Sequence, residues 1–168
     1  MDALDVALLT ALADHHRAGD LELSRLTGVA RGTVTARLQR LERTGVVRGY
    51  GPDVDLGPAG FGVQAFVMLE IAQGALDDVR AHLAAIPGVL EAYATTGSAD
   101  VLCRVAARSN EDLQQVLLDI DRSPSVARST SVVVLSELVP WRTLPLLAAE
   151  AEPGAGRSPV APTHRDGA

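Results

Sequence analysis

The residues with the clearest chemical potential lie on one run, from Arg31 to Leu41. Val34, Leu38 and Leu41 recur at i, i+4 and i+7, which places them on a single inward stripe of a helix. Arg31, Gly32, Thr33, Thr35, Ala36, Arg37, Gln39 and Arg40 are left largely on the other faces. That outward set is rich in hydrogen-bond donors and holds no acid. Such a helix fits a major groove, with small residues close to the bases and arginines on phosphates or guanine edges. An arginine-bearing helix is more often a plain solvated face, so local charge has to decide. Residues 21 to 50 hold six arginines (Arg25, Arg31, Arg37, Arg40, Arg43, Arg48) against Glu22 and Glu42, a net +4, while the rest of the chain sums to −10. In a chain of net charge −6, that concentration is better explained by a polyanion at that unit than by solubility, and a groove-sized helix makes double-stranded DNA the expected partner.

A second stretch, Thr95-Thr96-Gly97-Ser98-Ala99-Asp100, has binding potential of another kind. Successive backbone N–H groups around a glycine form an anion-binding nest suited to an α-carboxylate, and Asp100 could accept from an α-ammonium or lock the turn. The alternative is a plain hairpin turn, with Gly97 at positive φ and Asp100 bonded to its own backbone. Catalytic chemistry is not indicated. There is no nucleophile-base pair, no paired carboxylates, no phosphate-binding glycine loop and no metal-ligand spacing. His15 and His16 are adjacent, so on a helix they point about 100° apart, and they read as surface residues. His82 stands alone. Cys103 alternates with Val101 and Val105 and reads as a packed core residue.

These residues need elements to hold them. A helix over residues 2 to about 16, with Asp2 as N-cap, Asp5 in its first turn and Val6, Leu9 and Leu12 on one face, should brace the reading helix. Leu23 and Leu26 share the buried face of a second helix, which Asp20 should cap. Gly28 then supplies the positive φ of a tight turn, Val29 plugs the corner, and Gly45 stops the reading helix. Val46 to Tyr50 and Val54 to Leu56 flank the turn cluster Gly51-Pro52-Asp53, so a short hairpin or wing is expected. On it Arg48 and Tyr50 either reach the DNA backbone or pack against a partner subunit.

Pro58, Gly60 and Gly62 mark a boundary. Beyond it Val63, Ala65, Val67, Leu69 and Ile71 share one face of a strand, with Gln64, Phe66, Met68 and Glu70 on the other. A helix carrying Leu76, Val79, Leu83 and Ile86 follows, then strands over Val89 to Thr95 and Val101 to Ala106. A helix begun by Ser109 carries Leu113, Val116, Leu117 and Ile120, and a last strand runs from Ser129 to Leu138. The order β-α-β-β-α-β implies an antiparallel sheet with two helices on one face. Its other face, with Phe66 and Met68, needs cover, and a second copy of the same sheet is the simplest. Trp141 to Ala151 is expected to form a helical turn or two interrupted by Pro145, and residues 152 to 168, rich in Pro, Gly, Ala and Ser, to be disordered.

Taken together, Glu22-Leu23-Ser24, Gly28-Val29-Ala30, Thr33-Val34, Arg37 to Glu42, Gly45-Val46-Val47 and Arg48-Gly49-Tyr50 resemble the helix-turn-helix of the Lrp/AsnC (feast/famine) regulators. The resemblance extends from residue 3 to about residue 138. It implies an α+β chain: a winged helix-turn-helix DNA-binding domain over 1–57, a ferredoxin-like βαββαβ (RAM) domain over 58–140 that binds effector and dimerises through its sheet, and an extension over 141–168. It further implies a homodimer, with tetramers or octamers built from dimers, and a small-molecule effector of amino-acid type in place of any cofactor. The effector residues it implies are Thr96, Gly97, Ser98, Ala99 and Asp100, the family's Gly-x-x-Asp turn, together with Ser129 and Ser131, which stand where the family often has Thr-x-Thr. The sequence departs from the family at Ala30, where a capping serine is usual; a missing cap costs about 1 kcal/mol. Gly32 weakens the same turn. Two other classes remain: a ligand-binding oligomer that has lost DNA contact, and a small enzyme on the same βαββαβ frame.

Composition agrees with these readings. Apolar residues make up 47% of 168, enough for a core, but aromatics are only 3%, so that core must be Leu, Val and Ala. Every basic residue is arginine, which suggests coding bias more than function. One cysteine excludes an internal disulfide, which suits a cytoplasmic setting. No apolar run approaches the ~20 residues of a membrane span, and the acids of the N-terminus do not suit a signal peptide.

Overall fold

The structure, a computed structural model, describes residues 1–151; the expected disorder of residues 152 to 168 lies outside the described residues. Two compact units are present: residues 1–51 with residues 140–151, and residues 52–139.

In the first unit α1 (Ala3–Asp14), α2 (Asp20–Thr27) and α3 (Arg31–Arg43) form the helix-turn-helix. Leu8, Leu23, Val34 and Leu38 are its buried centre, flanked by Leu4, Ala11, Leu12 and Val29. The seam of α1 is therefore Leu4, Leu8 and Leu12 instead of Val6, Leu9 and Leu12. The reason is that α1 is apolar nearly all round: Ala3, Val6, Ala7 and Thr10 line a second groove together with Ala148 and Ala151 of α6 (Leu144–Ala151). A helix used on two sides carries no single stripe. The expected break at Pro145 does not occur, because Pro145 falls in the first turn of α6, where no intrahelical donor is lost.

Gly28 closes α2 at φ 71°, as the tight turn requires. Two expectations fail nearby. Asp20 does not cap α2; Gly19 holds the N-cap position, and the Asp20 carboxylate accepts instead from the Thr35 hydroxyl on α3. Leu26 is exposed, since only Leu23 of that helix reaches the core.

The expected wing is absent. No strand forms between Thr44 and Gly62. The donors it would need are used elsewhere: the Val46 and Val47 N–H groups both donate to the Leu41 carbonyl, at 2.9 and 3.1 Å, and so close α3. In the second unit the Ala59, Gly60 and Phe61 N–H groups donate to Asp55, Gly57 and Leu56, which curls the would-be second arm into turns.

The second unit is an antiparallel sheet in the order β2-β3-β1-β4: β1 (Val63–Ile71), β2 (Val89–Ala94), β3 (Val101–Ala107) and β4 (Val126–Val133). On one face α4 (Leu76–Ala84) and α5 (Asn110–Asp121) cover Ala65, Val67, Leu69, Val101, Cys103 and Val105, all buried. The Ser109 hydroxyl caps α5, accepting from the Asp112 N–H at 3.1 Å. His82 joins the two helices by donating to the Asp119 carbonyl at 2.8 Å. Leu76, expected inward, is exposed in the first turn of α4. The last strand begins earlier than expected and ends at Val133, opposite Ala65 near the start of β1, and the Val134 N–H makes one last bond to Gln64.

Candidate nucleic-acid interface and effector loop

The buried stripe of α3 fixes which residues face outward. With Val34, Leu38 and Leu41 inside, the opposite ridge carries Gly32, Ala36, Gln39 and Arg43, all exposed, with Arg31 and Thr33 beside it at the N-terminal end. Among the described residues neither Arg31 nor Arg43 pairs with an acid, and Arg48 beyond the helix is likewise exposed. A ridge whose centre is Gly and Ala brings the helix backbone close to whatever it meets, and arginines at both ends supply charge. Ala30 is the N-cap and offers no side-chain bond, so the first turn of α3 lacks a cap.

Arg37 and Thr35 are placed differently from the outward position expected of them, and Arg40 is outward while one edge is held. Arg37 turns back onto α1, where it pairs with Asp2 and, at 3.0 Å, with Asp5. Arg40 donates to the other oxygen of Asp5 at 2.5 Å while its side chain stays 46% exposed. Asp5 itself is fully buried. Burial alone would raise its pKa, but the Asp2 N–H, Arg37 and Arg40 outweigh this and hold the carboxyl at about 2. Asp2 and Asp5 also form a reciprocal capping box at 3.0 Å each way, so the same two carboxylates start α1 and grip α3. Sequence reasoning found the cap and missed the grip. The signal was present: two acids three apart on one helix and two arginines three apart on another. On the opposite flank, Tyr50 donates to Glu42 at 2.6 Å; its burial and this bond push the phenol up to about 12.

In the sheet unit the β2–β3 loop is held at both ends. The Thr95 N–H donates to the Asp100 carbonyl at 2.8 Å, the Thr95 hydroxyl to the Ala99 carbonyl at 2.8 Å, and the Asp100 N–H to the Leu69 carbonyl at 2.9 Å. The Asp100 carboxylate accepts from the Ile71 N–H at 2.8 Å, so it ties the loop to the end of β1 instead of to its own backbone. Gly97 sits at φ 116°, a value that an L side chain rarely adopts. Between these ties, Thr96, Gly97 and Ser98 are exposed, and among the described residues the N–H groups of residues 96 to 99 have no acceptor. Ser129 and Ser131 pair with Leu69 and Val67, which puts their side chains on the helix-covered face across β1 from the loop. Fully buried Leu69 stands between, so one subunit does not bring the two groups into a single pocket.

The other face of the sheet is open. Phe66, Tyr93 and Val132 are exposed at 40, 53 and 54%, with Met68 and Leu102 between them. Across one end Arg104 donates to Gln64 at 2.8 Å and pairs with Glu91 at 3.7 Å.

Known proteins share both halves of this arrangement. Residues 1–42 match the AsnC-type helix-turn-helix domain, and residues 64–144 match the Lrp/AsnC ligand binding domain. The HTH-type transcriptional regulator AldR of Mycolicibacterium smegmatis is 31% identical over 140 residues, covering 82% of each chain. The structure of E. coli AsnC gives a TM-score of 0.80 at 27% identity, covering 86% of this chain and 99% of that one. The complex of regulator NMB0573 with L-Met from Neisseria meningitidis gives 0.76 at 27% identity, covering 83% and 92%. The chain belongs to the Lrp/AsnC family of helix-turn-helix transcriptional regulators.

Proposed function

We propose that this regulator acts as a homodimer, joined through the open sheet face, which reads duplex DNA with α3 of each subunit and is reset by a small amino acid at the 96–100 loop. The observation that carries the DNA reading is the exposed Gly32, Ala36, Gln39, Arg43 ridge with Arg31 at its head, on a helix whose other two arginines, Arg37 and Arg40, are tied to acids. Two such helices raise affinity through effective concentration. Support for the effector reading comes from the unpaired amide groups at residues 96 to 99, which suit a carboxylate, and from the L-Met bound by the Neisseria relative. Asp100 acts by locking the loop, and its second carboxylate oxygen is left for an ammonium group. Because Thr96, Gly97 and Ser98 are exposed in one subunit, a closed site needs a neighbouring copy to cover the loop. No catalysis is assigned to the chain, in keeping with a family of regulators, and its place of action is the cytoplasm, with the DNA.

The test is equilibrium binding of the full chain to duplexes selected from a random pool, with and without each amino acid. Sequence-selective binding that one or more amino acids shift is expected. Amino-acid binding without any DNA binding would favour a ligand-binding oligomer, and binding of neither would sink the proposal.

A further inference from the structure

We propose that Asp5 is a positioning residue for DNA recognition: it withdraws Arg37 from the DNA and fixes the guanidinium of Arg40, so that on α3 charge is delivered by Arg31, Arg43 and the outer edge of Arg40. The proposal rests on the reading of α3 as the DNA-facing helix.

Asp5 has no exposed surface, and both of its oxygens are engaged. Oδ1 accepts from Arg37 at 3.0 Å; Oδ2 accepts from Arg40 at 2.5 Å and from the Asp2 N–H at 3.0 Å. Arg37 is additionally held by the Asp2 carboxylate. Were Arg37 to swing out to a phosphate, it would leave a buried carboxylate short of a partner, which costs more than an exposed ion pair returns. Arg37 therefore stays, and the set Asp2, Asp5, Arg37 and Arg40 is neutral as a whole. Arg40 differs from Arg37 in exposure, 46% against 29%, so one edge of its guanidinium rests on Asp5 while the rest faces outward. A side chain held in this way meets a phosphate without first losing rotamer freedom. The grip also ties α3 to α1 at two points one turn apart, which sets the roll of the reading ridge.

Salt dependence counts the phosphates a protein neutralises, at about 0.9 in the slope of log K against log salt for each. The experiment measures that slope for wild type, Asp5→Asn, Arg37→Gln and Arg31→Gln, on a random-sequence 30-base-pair duplex and on a duplex recovered by wild type from a random pool. Arg31→Gln should flatten the slope by about 0.9 per subunit. Arg37→Gln should weaken binding to the recovered duplex yet keep the wild-type slope. Asp5→Asn, near-isosteric, leaves Arg37 with only the exposed Asp2 carboxylate, a surface pair that costs little to release; its slope should steepen by up to about 0.9 per subunit while its preference for the recovered duplex over the random one falls. An Asp5→Asn protein with wild-type slope and preference would overturn the proposal. So would an Arg37→Gln slope as flat as that of Arg31→Gln, a result that stands even if Asp5→Asn fails to fold. If wild type binds neither duplex in a salt-dependent way, the DNA-facing reading fails first and this proposal with it.

Discussion

The two units solve the problem of holding a surface in place by opposite means. The helix-turn-helix has a small apolar centre, Leu8, Leu23, Val34 and Leu38, and adds charge: a buried carboxylate gripping two arginines on one flank and Asp20 on the Thr35 hydroxyl on the other. The sheet unit buries eleven apolar residues in one cluster without a charged member. Net charge divides the same way. Residues 1–51 hold seven arginines against six acids, and residues 52–139 hold five against twelve. A surface that must stay positive cannot also be wrapped in apolar contacts, so its support comes from acids placed behind it. The sheet unit needs no such device.

This contrast is open to direct attack. The largest effect is expected from Asp5→Ala, which leaves Arg37 and Arg40 without their buried partner and should cost about 3 kcal/mol. Amide hydrogen exchange should show that loss in residues 1–51 and leave β1 and β3 protected. Acid should act in the same place. Asp5 titrates at about 2 in the folded chain, below its ordinary value of 3.8, so its contribution is complete above pH ~5 and is lost as pH falls from about 4 through 2. Helical signal from the first unit should therefore fall before the sheet's does. Equal acid sensitivity of the two units would contradict the division.

Next in size is Gly88→Ala in the sheet unit. An added Cβ would lie 2.6 Å from Val116 of α5 and 3.3 Å from the Ala106 carbonyl, so either Val116 rotates or the strand moves, at about 1–3 kcal/mol. Thermal unfolding followed by exchange should localise that loss to residues 52–139. The smallest change expected is a gain. Ala30→Ser supplies the cap that α3 lacks, worth about 0.5–1 kcal/mol, and should raise the melting temperature of the first unit alone.

What could be read from the sequence follows the same contrast. The alternation of β1 and the i, i+4, i+7 stripe of α3 came through residue for residue, because each has one buried face and one period. The α1 seam did not, because α6 uses its other side. Turn residues at 51 to 53 predict a wing, but nothing local reveals that Val46 and Val47 give their N–H groups to Leu41. Likewise β-branched content predicts β4 out to Leu138, whereas its pairing with β1 ends near the start of that strand. At the candidate DNA face the charged pairs between α1 and α3 span more than thirty positions; the matched spacing of the two acids and the two arginines hints at them, but only the fold brings them together. At the loop, the anchoring of Asp100 to Ile71 is equally non-local.

The measurement that bears most directly on the whole account is DNA affinity of wild type and Gly97→Val, each with and without the amino acid that wild type answers to. Valine cannot take φ 116° without strain, and nothing else lies within 4 Å of the site, so the change is confined to the loop backbone. The expected result is a wild-type affinity that the amino acid moves by about 5- to 150-fold, in line with coupling energies of ~1–3 kcal/mol, beside a variant with near-wild-type basal affinity and no response. A Gly97→Val protein that responds as wild type does, or a wild type that no amino acid moves, would contradict the assignment of effector sensing to this loop.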